Sequence, residues 1–139
     1  MGVPERYWRF RTKAATDALA TRFGLPNEPN MQDWPWEVAD FSRLPELLAA
    51  LEGGDLTDDE RFTLSETVMQ CFENLADEGR AVSDISNMDE WQRFVLLLRA
   101  RPALHAHTLC YWSSPDAFDI TPLVRPLWAE IEPLLRHAE

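Results

Sequence analysis

Apolar residues recur along most of this chain at the three-and-four spacing of an amphipathic helix, and glycines and prolines punctuate the runs. Near the start, Trp8, Ala15, Leu19 and Phe23 share one helical face and Arg6, Arg9 and Lys13 another, predicting a helix that ends at Gly24 with Pro26 as a stop. Tyr7 to Arg11 also alternates, so a short extended start fits the same residues. A second helix is predicted from about Ser42 to Glu52, with Leu44, Leu47, Leu48 and Leu51 as its stripe and Gly53-Gly54 as its stop. The clearest element begins at a capping box, Thr57 with Glu60, and runs to about Asp77 near Gly79. Its apolar face is Phe62, Leu64, Val68, Met69, Phe72, Leu75 and Ala76.

Asn87 and Glu90 offer a second capping box for a helix over Met88–Arg101, with Trp91, Phe94, Val95 and Leu98 as its stripe. Pro102 ends that helix and suits the first position of the next, which carries Leu104, Thr108, Tyr111 and Trp112. Ser113 to Asp116 reads as a turn, and Thr121-Pro122 as a cap followed by a first helical residue. Pro126 and Pro133 then predict a kinked helix or two short ones. Residues 25–39 hold Pro26, Pro29 and Pro35, which argues against a regular helix and for a long ordered loop pinned by Trp34 and Trp36. Unstructured loops of that length are uncommon in compact domains and are often functional. The expectation is an all-α fold: a single compact domain of five or six helices spanning residues 1–139, with a long Pro/Trp-containing loop near residues 25–40.

Length and composition agree with that expectation. A chain of 139 residues that is 45% apolar, with six Trp, has ample material for one core without a metal or disulfide staple. The first residues lack the basic-then-apolar layout of a secretory signal, and the longest aliphatic run, Val95 to Leu98, is far short of a membrane span. Cys71 and Cys110 have no CxxC spacing and read as buried free thiols. The expected location is the cytoplasm.

Charge changes the picture more. The net charge of −11 is made up of +3 over residues 1–25, −14 over 26–90 and zero over 91–139. A field of that sign in the middle of the chain repels nucleic acid and anionic membrane and steers basic partners inward. On the long helix, Asp59, Glu66, Gln70, Glu73 and Asp77 recur at intervals that place them on one face opposite the apolar one. Asp58 and Asp59 also sit at the positive end of the helix dipole. This stripe reads either as a solvated face or as a docking surface for a basic partner. Trp34 and Trp36 beside Glu37 would add the aromatic anchors that charge alone lacks, or would simply hold the loop to the core.

Catalytic patterns are missing. His105 and His107 lie two apart and diverge on a helix, and Cys110 is five residues from His105, so no metal site is expected. No serine stands in a G-x-S-x-G context and no glycine-rich phosphate loop is present, so neither an enzyme nor a cofactor is expected. The basic aromatic start, Arg6 to Arg11, has the residue types of a nucleic-acid platform, but the adjoining acidic stretch opposes that use. Its arginines are better placed to pair with the acidic middle, within the chain or in a second copy.

The sequence resembles a family of small bacterial immunity proteins, encoded beside the polymorphic toxins that contact-dependent and type VI systems deliver to neighbouring cells. The likeness is carried by Asp33-Trp34-Pro35-Trp36-Glu37-Val38-Ala39-Asp40, by Asp58-Asp59-Glu60-Arg61-Phe62 opening a helix, by Tyr111-Trp112, and by Phe118 through Arg125 to Trp128. It implies an inhibitor that binds a cognate protein toxin and covers or distorts its active site, with no catalytic residues of its own. The residues expected to meet that partner are Trp34, Trp36, Glu37, Asp58, Asp59, Glu66, Glu73 and Asp77. A basic toxin surface, such as a nuclease's substrate face, would complement them. The other reading is a helical adaptor or regulatory domain that binds a protein partner or itself.

Overall fold

The computed structural model describes residues 3–115 and 117–137, and these form eight α-helices and two 3-10 turns with no strand among them. The fold class is all-α, with more helices than the pattern indicated because two five-residue helices fill stretches that read as connections. The chain divides into two compact units, Phe10–Cys71 and the pair of segments Met1–Arg9 and Phe72–Glu139.

In the unit Phe10–Cys71, α1 (Lys13–Phe23) starts later than expected. Thr12 caps it, its hydroxyl accepting from the Ala15 N–H at 3.1 Å, so the alternating residues before it stay outside the helix. Gly24 closes α1 in the left-handed conformation at φ 64°, and the Leu25 N–H reaches back to the Ala20 carbonyl. The Pro/Trp segment contains α2 (Trp34–Val38), which corrects the expectation of a loop without helix. Pro35 is the second residue of α2, where its missing N–H has no intrahelical partner to lose. A 3-10 turn, Phe41–Arg43, then leads into α3 (Leu44–Glu52), whose Leu44, Leu47, Leu48 and Leu51 are buried as their spacing required.

The helix α4 (Asp58–Asp77) opens with the capping box read from the sequence. The Glu60 N–H donates to the Thr57 hydroxyl at 3.1 Å, and the Thr57 N–H donates to the Glu60 carboxylate at 2.9 Å. Thr57→Ala is expected to cost about 1 kcal/mol of stability, read from the midpoint of urea unfolding. The burial of α4 is wider than a single face, because Arg61 to Ser65 are all buried. The Thr67 hydroxyl donates to the Thr63 carbonyl of its own helix at 3.1 Å, whereas the buried Thr63 hydroxyl has no hydrogen-bond partner among the described residues. Arg61 donates to the Leu51 and Gly53 carbonyls, placing its positive charge at the negative end of α3.

The other unit holds the end of α4 from Phe72 with α5 (Val82–Ser86), α6 (Asp89–Ala100), α7 (Pro102–Trp112) and α8 (Thr121–His137). Asn87 does not cap α6 as expected, since it ends α5 and its amide donates to the Ser83 carbonyl at 3.1 Å. Pro102 is the first residue of α7, as read. On α7, Leu104, Thr108 and Trp112 are buried, but Tyr111 from the same expected face is exposed and His105, Ala106 and Leu109 are buried instead. The expected turn after Trp112 ends on Asp116, outside the described residues.

Thr121 opens α8 from inside the helix: its hydroxyl accepts from the Phe118 N–H and donates to the Trp112 carbonyl at 2.8 Å. One helix then continues through Pro126 and Pro133, so of the two forms expected, a kinked helix or two short ones, the break into two does not occur. The carbonyls that those prolines leave without an i+4 donor belong to Pro122 and Ala129, both exposed, so water can take the place of the lost bonds. Ahead of α1 in the sequence, the 3-10 turn Glu5–Tyr7 packs on α7. Trp8 donates from its indole to the Val3 carbonyl at 2.9 Å and stacks on His107, whose Nδ1 is 2.8 Å from the Arg9 carbonyl.

Candidate partner-binding surface

The Pro/Trp segment acquires its shape from a few internal bonds in the unit Phe10–Cys71. Trp34 is 1% exposed and donates from its indole to the Pro26 carbonyl at 2.7 Å, which closes the segment on itself. Arg11 donates to the Gln32 carbonyl at 2.8 Å. With Trp34, Pro35 and Val38 facing inward, one helical turn forces Trp36 and Glu37 outward. The Trp36 side chain is left 59% exposed. Glu37 accepts the Asp33 N–H at 3.2 Å, which binds the carboxylate to the start of α2. Asp40 accepts the Ser42 N–H and hydroxyl at 3.0 and 2.7 Å, and these bonds hold its carboxyl below the usual range.

The structure therefore divides the eight residues expected to meet a partner. Trp34 is a structural anchor with no surface to offer, which corrects its place in that set. Trp36 and Glu37 are exposed on α2, and Asp58 and Asp59 are exposed on the first turn of α4. Glu66 is only partly exposed, and burial pushes its carboxyl up to about 7 against the pull of the Arg11 charge, with Asp33 adding to the rise. Glu73 is used internally: it accepts the Asp119 and Ile120 N–H groups at 3.3 and 2.9 Å, just ahead of α8. Burial raises its carboxyl while those two N–H groups oppose the rise. Asp77 is exposed but belongs to the last turn of α4, in the other unit. The single acidic stripe drawn from periodicity is thus interrupted at Glu66 and Glu73, because a polar face of a helix buried nearly all round must find partners inside the protein.

Two residues of this surface were not in the expected set. Asp33 and Asp40 flank Trp36 and Glu37 and are exposed like them. Helical spacing does not find them, because Asp33 precedes α2 and Asp40 follows it in extended backbone; the only signal in the sequence is their place on either side of Trp36 and Glu37. With Glu28 and Glu37 they make four carboxylates over residues 28–40, and among the described residues none of the four forms an ion pair with Lys or Arg.

The residues considered for metal binding are placed apart in role. His105 is 1% exposed, His107 meets the Arg9 carbonyl, and Cys110 is partly exposed. Among the described residues no group of three or more His, Cys, Asp or Glu is arranged to hold a metal ion. Cys71 is a buried free thiol, and burial pushes it up to about 12, so it is not a ready thiolate. No described helix is long and apolar enough to cross a membrane. No family model, curated protein or solved structure matches this chain.

Proposed function

We propose that this chain is an immunity-type inhibitor, acting in the bacterial cytoplasm, that binds and neutralises a cognate protein toxin through an acidic surface on the unit Phe10–Cys71. The observation that carries the reading is an exposed tryptophan on a rigidly braced acidic turn: Trp36 stands outward among Asp33, Glu37 and Asp40 while Trp34 fixes the turn from beneath. Tryptophan is enriched at the energetic centre of interfaces, and surrounding charge of one sign selects and accelerates a partner of the other. The resemblance around Asp33–Asp40 and the concentration of −14 over residues 26–90 support the same reading. An inhibitor needs no catalytic group, only a surface complementary to a basic active-site cleft.

Co-expression with the product of the adjoining open reading frame tests this. That product is expected to be toxic alone and harmless beside this chain, and a harmless product, or one still lethal in its presence, sinks the reading. Reversing Asp33 and Glu37 together to Lys is expected to slow association about tenfold at low salt and to flatten its salt dependence. Stopped-flow mixing across a salt series measures both, and an unchanged on-rate moves the interface away from α2.

A second reading, self-association or adaptor binding, has one observation in its favour. Trp8 and Phe10 are 51% and 66% exposed within the basic start of the chain. Sedimentation over a salt series separates the two, since charge-driven self-assembly dissolves as salt rises whereas an inhibitor stays monomeric throughout.

A further inference from the structure

The cations of the unit Phe10–Cys71 are all committed. Arg11 donates to the Gln32 carbonyl, Lys13 pairs with Asp17, Arg22 with Asp55, and Arg43 with Glu46, while Arg61 donates to the Leu51 and Gly53 carbonyls. Those five are every Lys and Arg in this stretch, against twelve Asp and Glu. The carboxylates of Glu28, Asp33, Glu37 and Asp40 are left without an ion pair among the described residues. Glu37 spends one oxygen, Oε2, on the Asp33 N–H, and its other oxygen accepts no hydrogen bond among the described residues. Elsewhere the chain sets its own arginines over aromatic rings, Arg6 at 4.7 Å from the Tyr7 centroid and Arg22 at 5.6 Å from that of Phe23. No described Lys or Arg stands over Trp36.

From this we infer that Trp36 is the seat for an arginine side chain of the protein partner. The guanidinium lies flat on the exposed indole, and the exposed carboxylates of Asp33, Glu37 and Asp40 in the same segment supply the negative charge around it. The inference deepens the inhibitor reading, on whose site it rests, by naming the group that the site receives. Arginine fits better than lysine for two reasons. Its planar cation stacks on an indole and sheds water more readily than an ammonium, and its fork of N–H donors can bond a carboxylate while it stacks. Indole is also the ring that attracts a cation most strongly.

The probe is a blocked peptide alternating glycine with four arginines, titrated into the whole chain while the indole N–H resonances are followed by NMR, together with its lysine counterpart. Trp36→Phe assigns the Trp36 resonance. The Trp36 indole is expected to shift most of the six. Trp36→Leu, which keeps an apolar side chain and removes the ring, is expected to weaken the arginine peptide about fivefold, and the lysine peptide is expected to bind about fivefold more weakly than the arginine one. Glu37→Gln is expected to weaken it by a similar factor, and the exposure of both positions leaves the Trp34 anchor in place. Equal affinity in Trp36→Leu, or a largest shift at another indole, overturns the seat. If the peptide ignores Trp36 while the chain still neutralises its neighbour's product, the seat is wrong and the inhibitor reading stands. If Trp36 takes the peptide and no toxin is neutralised, the seat holds and the inhibitor reading falls.

Discussion

Phe94→Ala is expected to lower the free energy of unfolding by about 3–5 kcal/mol, the largest loss of any single substitution proposed for this protein. Phe94 is fully buried in the unit that contains α6, α7 and α8. Its ring stacks on Phe72 at 5.9 Å and meets Trp91 edge-on at 6.1 Å, while Phe72 and Trp91 meet at 5.0 Å and 85°. Three aromatic rings in mutual contact cannot collapse into the space that one of them leaves, because each is held by the other two and by a helix. The loss would consume much of the roughly 5–15 kcal/mol by which a domain is stable. Leu96→Ala, two residues along the same helix but at a position 64% exposed, is expected to change stability by no more than about 0.5 kcal/mol. Urea unfolding followed by tryptophan fluorescence compares the pair, and a cost at Phe94 no greater than at Leu96 would refute the aromatic cluster.

The next largest effect is a pH dependence centred on Glu66. Its carboxyl lies near 4.5 in the unfolded chain and is raised to about 7 in the fold, chiefly by burial, with Arg11 opposing and Asp33 assisting. Between those two values the folded state holds a proton that the unfolded state has released, so stability falls as pH rises. The contribution is fully present below about pH 4.5 and is lost by the time pH passes about 7, a change on the order of 2–3 kcal/mol. Glu73, also raised by burial, adds to the same slope. Asp17, Asp40 and Glu46 are lowered by their hydrogen bonds, so their contributions are lost at lower pH and lie outside this window. Glu66→Gln keeps the shape of the side chain without the charge. It is expected to raise stability at pH 7.5 by on the order of 2 kcal/mol and to flatten most of the slope between pH 4.5 and 7. A wild-type protein whose unfolding midpoint does not move over that range would show that Glu66 is solvated.

Much of this architecture is local in origin and was therefore legible in the residues. The capping box at Thr57 and Glu60, the glycine stop at Gly24, the first-position proline of α7 and the leucine stripe of α3 each depend on contacts within one or two turns. The same locality led to errors where two local signals competed. Asn87 had the spacing of a cap for the helix after it, but its amide found the Ser83 carbonyl of the helix before it. Three prolines suggested an unbroken loop around Trp34, yet a proline at the second position of a helix costs that helix no hydrogen bond, and α2 forms there.

What the sequence determined by itself was the helical class, most helix ends and the acid excess of the middle segment, because periodicity, capping and charge are properties of neighbouring residues. Tertiary structure alone decided which of those acids reach solvent and which tryptophan does. Burial depends on what lies on every side of a helix, and periodicity reports only one side. Hence Glu66 and Glu73, indistinguishable in spacing from Asp59, are drawn inward, and Trp34 and Trp36, two residues apart in the same motif, take opposite roles. A short helix turns successive residues through about 100°, so the indole that anchors to Pro26 leaves the other one standing among the carboxylates.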